Sequence, residues 1–289
     1  MRPLTSSAVN PGIVALLVLL AAVMHASWNA LIKGSRDSVG TQALLMFCGV
    51  LLATATIPWV PTPARESWPL LAISVLVHTV YRVILVWAYR EGDLSKVYPL
   101  ARGFAPLLVA LAAAYFAEEW LNRWEIAGVL LVSGGIASLA FEKRNAHQPS
   151  RRPVVLALLT GFFVSAYSLI DGLGARRAGS AIGYAAWLLA LEGLPFVVGT
   201  VILRRQDLPR IVRTCWKAGL IGGVISTVGY SIVIWAMSVG GMAQTIALRE
   251  TSVIVAALIG VGLMKESSGA RRIAVAVVVV AGNLLLQIF

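Results

Sequence analysis

The chain has 289 residues, 58% of them hydrophobic and 13% charged, with a mean hydropathy of +0.83 and a formal net charge of +11. A soluble globular domain is about 45–50% apolar and about 25% charged, so this chain cannot cover itself with polar surface and its composition is that of a membrane protein. The same figures exclude a disordered chain, and two cysteines are too few for a secreted disulfide scaffold.

A helix needs about 20 apolar residues to cross the hydrocarbon core. Ten segments meet or approach this: 13–32, 41–60, 69–89, 98–116, 125–141, 154–174, 182–203, 217–238, 242–264 and 271–289. The links and tails between them are too short to hold a soluble domain of about 50 residues or more. The fold class expected is therefore an all-α polytopic membrane protein of ten transmembrane helices. Outer-membrane barrel strands would alternate, and the run from Val275 to Val280 does not. The first segment is read as a span rather than a cleaved signal peptide, because it is long, carries His25, Trp28 and Asn29, and has only Arg2 ahead of it.

The basic residues are unevenly shared between the two sides. The odd-numbered links carry Lys33 and Arg36; Arg90 and Lys96; Lys143, Arg144, Arg151 and Arg152; Arg204, Arg205, Arg210, Arg213 and Lys217; and Lys265, Arg271 and Arg272. Only Arg2, Arg65, Arg123, Arg176 and Arg177 fall on the other side. By the positive-inside rule the odd links are cytoplasmic and both termini face outward, as in a bacterial-type inner membrane. The positive charge is thus mainly an orientation signal, and no nucleic-acid partner is expected.

Displacing the chain by 147 positions lays the fourth and fifth spans on the ninth and tenth. Arg102 then falls on Arg249, Glu119 on Glu266 and Gly135 on Gly282. An Arg and a Glu recurring 17 positions apart are a costly coincidence in apolar sequence. The expected organisation is two five-helix repeats, 13–141 and 154–289. Five is odd, so the second repeat enters the membrane inverted. Inverted repeats build secondary transporters that work by alternating access, with the solute site near the midplane.

Three stretches also resemble a family: His25 to Asn29 (HASWN) followed by Lys33, Val97 to Leu111 (VYPLARGFAPLLVAL) and Leu248 to Gly260 (LRETSVIVAALIG). They are similar to the EamA branch of the drug/metabolite transporter superfamily. The resemblance implies ten helices around a cavity lined by spans one, three, four, six, eight and nine. It also implies transport, usually export, of small metabolites such as amino acids or toxic compounds.

Charges deep in a bilayer are expensive and normally face a polar cavity or a partner. At about 1.5 Å per residue, His25, His78, Arg82 and Glu192 fall near mid-depth. Arg102 and Arg249 lie nearer opposite ends of their spans, so the inversion places them on opposite sides of the midplane. Helical spacing puts His25, Trp28 and Asn29 on one face, and pairs His78 with Arg82, Tyr98 with Arg102, Thr245 with Arg249, Tyr167 with Asp171, and Ser226 with Tyr230. His25, Trp28, Asn29, His78, Arg82, Tyr98, Arg102, Tyr167, Asp171, Tyr230 and Arg249 are the candidate cavity residues. Aromatic walls with Arg and His donors suit an anionic or zwitterionic small molecule. The alternative is structural, with the three Arg neutralising Asp171, Glu192 and Glu250 and the histidines and aromatics serving as packing. Glu192, ahead of Gly193 and Pro195 that break the helix, and Glu250 are candidates for coupling or gating.

Asp171, Gly172, Ala175 and Arg176 match the DGxxAR core of membrane CDP-alcohol phosphotransferases. Those enzymes need four carboxylates for two metal ions, whereas Ser168 stands three positions before Asp171 and no further acid follows until Glu192 and Asp207. No enzyme, cofactor or metal is expected, and with no P-loop the driving force is a solute gradient or proton exchange. A flippase for a lipid or lipid-linked sugar stands as the other transport reading. Gly128, Gly134, Gly135, Ala274, Ala276 and Gly282 make the fifth and tenth spans a packing face, against other helices or a second copy in a homodimer.

Overall fold

Twelve α-helices account for most of the described residues, which in this computed structural model are 9–91, 94–139, 151–262 and 270–288. They are α1 (Pro11–Lys33), α2 (Ser38–Thr56), α3 (Trp68–Glu91), α4 (Leu94–Phe116), α5 (Arg123–Ser138) and α6 (Arg151–Arg177), then α7 (Ala181–Glu192), α8 (Leu194–Leu203), α9 (Leu208–Val239), α10 (Met242–Arg249), α11 (Ser252–Gly262) and α12 (Ala270–Ile288). Six stretches are long and apolar enough to cross a membrane: Pro11–Lys33, Ser38–Trp59, Arg65–Leu85, Val154–Arg177, Ala181–Leu203 and Arg205–Val239. The protein is a multi-pass, all-helical membrane protein.

The helix starts are written locally. Asn10 accepts from the Gly12 N–H at the head of α1 with Pro11 as its first residue, and Asp37 accepts from the Gly40 N–H to open α2. Asn122 and Glu125 form a reciprocal capping box on α5. Many large apolar side chains point outward, among them Leu16, Leu51, Leu76, Ile202 and Val277. That exposure costs nothing where the surroundings are lipid. Trp59, Tyr115 and Trp120 are exposed at helix ends, where amphipathic rings favour the bilayer interface.

Three expected spans come out differently. The segment 182–203 is two helices, because Pro195 has no N–H to continue the ladder beyond Gly193. Segment 242–264 also divides, at Glu250 and Thr251, with three-residue bonds from Thr251 N–H to Leu248 O (3.1 Å) and Ile254 N–H to Thr251 O (2.9 Å) tightening the joint. Third, α9 begins at Leu208 rather than near 217, so Arg210, Arg213 and Lys217 ride on a helix instead of a link. Pro209 suits the first turn of that helix and the basic residues are good helix formers.

Two compact units make up the chain, one of residues 1–75 and 171–240, the other of 76–170 and 241–289. In the first, α9 lies along α1 and α2 and α7 covers α2. A Cβ at Gly223 would sit 2.8 Å from the Leu45 carbonyl oxygen, so only glycine permits this approach of α9 to α2. In the second, α5 packs on α12 and α4, with Val132, Ile136, Ala247 and Val279 buried between them. Gly128 and Gly282 meet back to back: a Cβ on either would stand 2.6 and 2.7 Å from the other's carbonyl oxygen. Gly128 and Gly282, with Gly135 against Val278, are thus used between the fifth and tenth spans of one chain, whereas Gly134 and Ala274 are exposed.

Candidate functional site

In the first unit, α1 carries His25, Trp28 and Asn29 on one face, as the spacing requires. The His25 and Trp28 rings meet edge to face at 5.0 Å. Asn29 donates from Nδ2 to the His25 carbonyl oxygen at 2.7 Å, which bonds the amide along its own helix. All three side chains are half-buried.

Asp171 on α6 is 0% exposed and forms the polar centre of this unit. Ser74 Oγ on α3 donates to Oδ1 at 2.5 Å, and the Tyr184 hydroxyl on α7 donates to the same oxygen at 3.3 Å. The Tyr230 hydroxyl on α9 donates to Oδ2 at 2.5 Å. Hydroxyl groups from α3, α7 and α9 therefore converge on this one carboxylate of α6. Ser74 and Tyr184 are fully buried whereas Tyr230 is half-buried. Neither Ser74 nor Tyr184 was selected from the sequence. Ser74 lies four residues before His78 and extends the same face of α3, a signal that was available; α7, apolar around Tyr184 and charged only at its last residue, Glu192, offered none for Tyr184.

Glu192 is 6% exposed at the end of α7, beside the break that Gly193 and Pro195 impose. Arg176, part of the DGxxAR match, donates from Nε to the Met237 carbonyl at 2.9 Å and from Nη2 to the Gly240 carbonyl at 2.7 Å. It caps the carbonyl end of α9.

At the end of α8, Arg204 donates to both oxygens of Asp37, at 2.8 and 2.7 Å, and to Asp207, while Arg210 also reaches Asp207 at 2.8 Å. The Arg204 hydrogen bond holds the Asp37 carboxyl below the usual carboxylate range, against the smaller opposing effect of burial.

In the second unit, the His78 ring stacks on Tyr167 at 4.1 Å with 27° between planes, and Tyr81 meets Tyr167 edge-on at 5.5 Å. Tyr81 was not selected from the sequence. His78 and Tyr167 are buried; Arg82, one turn from His78, is half-buried. Tyr98 lies in α4, and its side chain is outside the described residues.

Arg102 on α4 and Arg249 at the end of α10 both reach Glu250, which is 0% exposed. Arg102 Nε is 2.8 Å from Oε2 and Arg249 Nη2 is 3.7 Å from Oε1. Arg102 Nη2 also donates to Ser252 Oγ at 3.3 Å. The two guanidinium groups, expected to serve opposite sides of the membrane, are brought within reach of one carboxylate by the length of the Arg side chain and the break after Arg249. Around them, α10 is anchored by two acids: Glu119 Oε2 accepts from the Met242 N–H at 2.8 Å, and Glu125 Oε1 accepts from Gln244 Nε2 at 2.8 Å.

Apolar helices that expose hydrocarbon to their surroundings while burying a carboxylate in each unit are the construction of a membrane protein that handles polar solutes. The EamA-like transporter family model matches residues 12–141 and again 151–288, and the chain belongs to that family, part of the drug/metabolite transporter superfamily. It is 19% identical over 283 residues to "Putative sugar uptake protein" of Lactiplantibacillus plantarum, covering 93% of this chain and 95% of that protein. It is 23% identical over 209 residues to "Glucose uptake protein GlcU" of Staphylococcus xylosus, covering 64% of this chain and 67% of that one. A crystal structure of a protein 16% identical in sequence superposes with a TM-score of 0.75 over 98% of this chain and 99% of the other, which shows a shared fold. The protein is a membrane transporter.

Proposed function

We propose that the protein is a secondary transporter that carries a small, hydroxyl-bearing organic solute across a bacterial-type inner membrane by alternating access. Its ten spans form two inverted repeats with cytoplasmic odd links and outward termini. The two matches of the family model, one on each half, support the repeat, and the basic residues of the links support the orientation. The direction of flow is set by the solute gradient or by an exchanged proton. Export is the direction that the family resemblance implied, uptake is what the two relatives' names describe, and a carrier without a nucleotide motor runs both ways.

The observation that carries the reading is the Asp171 centre. A carboxylate accepts several hydrogen bonds at once, and here the donors from Ser74, Tyr184 and Tyr230 are all hydroxyls. A solute hydroxyl is the same donor and replaces Tyr230, the half-buried one, without change of charge. The Arg pair that suggested an anionic solute instead meets at Glu250. Sugars therefore head the panel of solutes, ahead of amino-acid-like compounds.

The test is counterflow into proteoliposomes loaded with unlabelled hexose or unlabelled neutral amino acid. Labelled hexose accumulates in the parent, and Asp171→Asn lowers the initial rate by about tenfold or more, the equivalent of roughly 1.4 kcal/mol from one charge-assisted hydrogen bond. Accumulation of the amino acid but no hexose, or an unchanged rate in Asp171→Asn, overturns the proposal.

A further inference from the structure

In the second unit Glu250 faces two guanidinium groups and serves them unequally. Its short contact, 2.8 Å, is with Arg102 Nε, and Arg249 is left with the long one, 3.7 Å, which is beyond hydrogen-bond length. Arg249 is 3% exposed, and its Nε and Nη2 have no hydrogen-bond acceptor among the described residues. A guanidinium always keeps its proton, so Arg249 cannot escape its charge by titrating. A buried cation whose donors lack acceptors is strongly disfavoured unless something supplies them.

The two orphaned donors are adjacent. Nε–H and one Nη–H point the same way and form the fork that takes a carboxylate side-on or a halide in its mouth. We infer that the Nε–Nη2 edge of Arg249 is a binding site for a small monovalent anion, a halide or a carboxylate group. Burial limits it to small ions. The site is distinct from Asp171, lies within one unit, and does not depend on the identity of the transported solute. Glu250 competes with the anion for the same guanidinium and so sets its affinity: the weaker the Glu250 contact, the tighter the anion.

The experiment is thermal unfolding of the purified full-length protein, read by tryptophan fluorescence, in sodium chloride, sodium formate or sodium gluconate at one ionic strength. Chloride or formate raises the midpoint saturably, and gluconate does not. In Arg249→Gln the saturable rise is lost. In Arg249→Lys, which keeps the charge and loses the fork, half-saturation moves up about tenfold. Glu250→Gln moves it down, opposite in sign to what mere loss of a structural ion pair produces. A rise with chloride alone identifies a free inorganic ion, and a rise with formate as well identifies a site open to carboxylates; both support the site. No anion-specific rise in the parent, or the same half-saturation in both Arg249 variants as in the parent, overturns it. Because no transported solute is present, a negative counterflow result leaves this inference untouched.

Discussion

Asp171 and Glu250 are both 0% exposed carboxylates among apolar helices, and the two units hold them by different means. Asp171 accepts hydrogen bonds from hydroxyl groups on α3, α7 and α9. Glu250 is held by guanidinium groups from α4 and α10. A hydroxyl donor is neutral, so it leaves and returns without stranding a charge, and one donor substitutes for another. An Arg withdrawn from a buried carboxylate strands both ions. The difference suits the first centre to exchange with a solute and the second to hold α4 against the joint between α10 and α11. Even there the holding is incomplete, because only Arg102 makes the close contact.

The largest expected effect breaks the second centre. Arg102→Leu leaves Glu250 with its 3.7 Å contact alone and lowers stability by about 3–5 kcal/mol, the usual cost of removing one partner of a buried pair. Adding Glu250→Leu and Arg249→Leu together recovers most of that loss, since three apolar side chains strand nothing, whereas Glu250→Leu alone would leave the buried Arg249 without its acid. Thermal unfolding of the purified single and triple variants checks both. A single variant as stable as the parent would show that the pair is not what holds α4 to α10.

Asp171→Asn is milder in stability, about 1–3 kcal/mol, because the amide keeps one acceptor oxygen for the hydroxyl donors and only the second must rearrange. If it destabilises as much as Arg102→Leu, the contrast between the centres fails. Tyr184→Phe and Tyr230→Phe sharpen the same point, each costing about 1 kcal/mol. Counterflow separates them: Tyr230→Phe changes the apparent affinity for the solute, whereas Tyr184→Phe, fully buried, lowers stability and leaves that affinity close to the parent's. Equal effects on affinity would remove Tyr230 as the exchangeable donor.

How far these centres were legible depended on whether the local sequence carried a contrast. Arg102 and Arg249 stood out because a charge in an apolar run is conspicuous, and the face of His25 and Trp28 followed from helical spacing. The break after Glu192 was legible because Pro195 cannot donate. The break after Arg249 was not, because Leu248, Arg249, Glu250, Thr251 and Ser252 include neither Gly nor Pro. What the sequence could not show was which helices meet. Tyr184 sits in α7 without polar neighbours to mark its face, and it found Asp171 only through packing. The meeting of Arg102 and Arg249 at Glu250 was hidden for a similar reason: span depth is a one-dimensional coordinate, while long side chains and a broken helix work in three.

The smallest expected effect lies outside the buried centres, where Asp37 tests how much of the contrast is burial. Its chemistry resembles that of Glu250, a carboxylate paired with Arg, but Asp37 and Arg204 keep 17% and 25% of their side chains exposed. Water then screens the pair, and its contribution is about 1 kcal/mol or less. Because Arg204 holds Asp37 below its ordinary carboxylate value, the native state gives up this proton more readily than the unfolded state does. The contribution is complete above about pH 4, the ordinary value for an aspartate, and is lost as pH falls through the lowered native value. The unfolding midpoint of the parent should exceed that of Asp37→Asn slightly at pH 7, with the gap closing as the pH is brought toward 3. The cap on α2 is kept by the amide and cancels in this comparison, so a gap that persists at pH 3 would mean that Asp37 does not act through its charge.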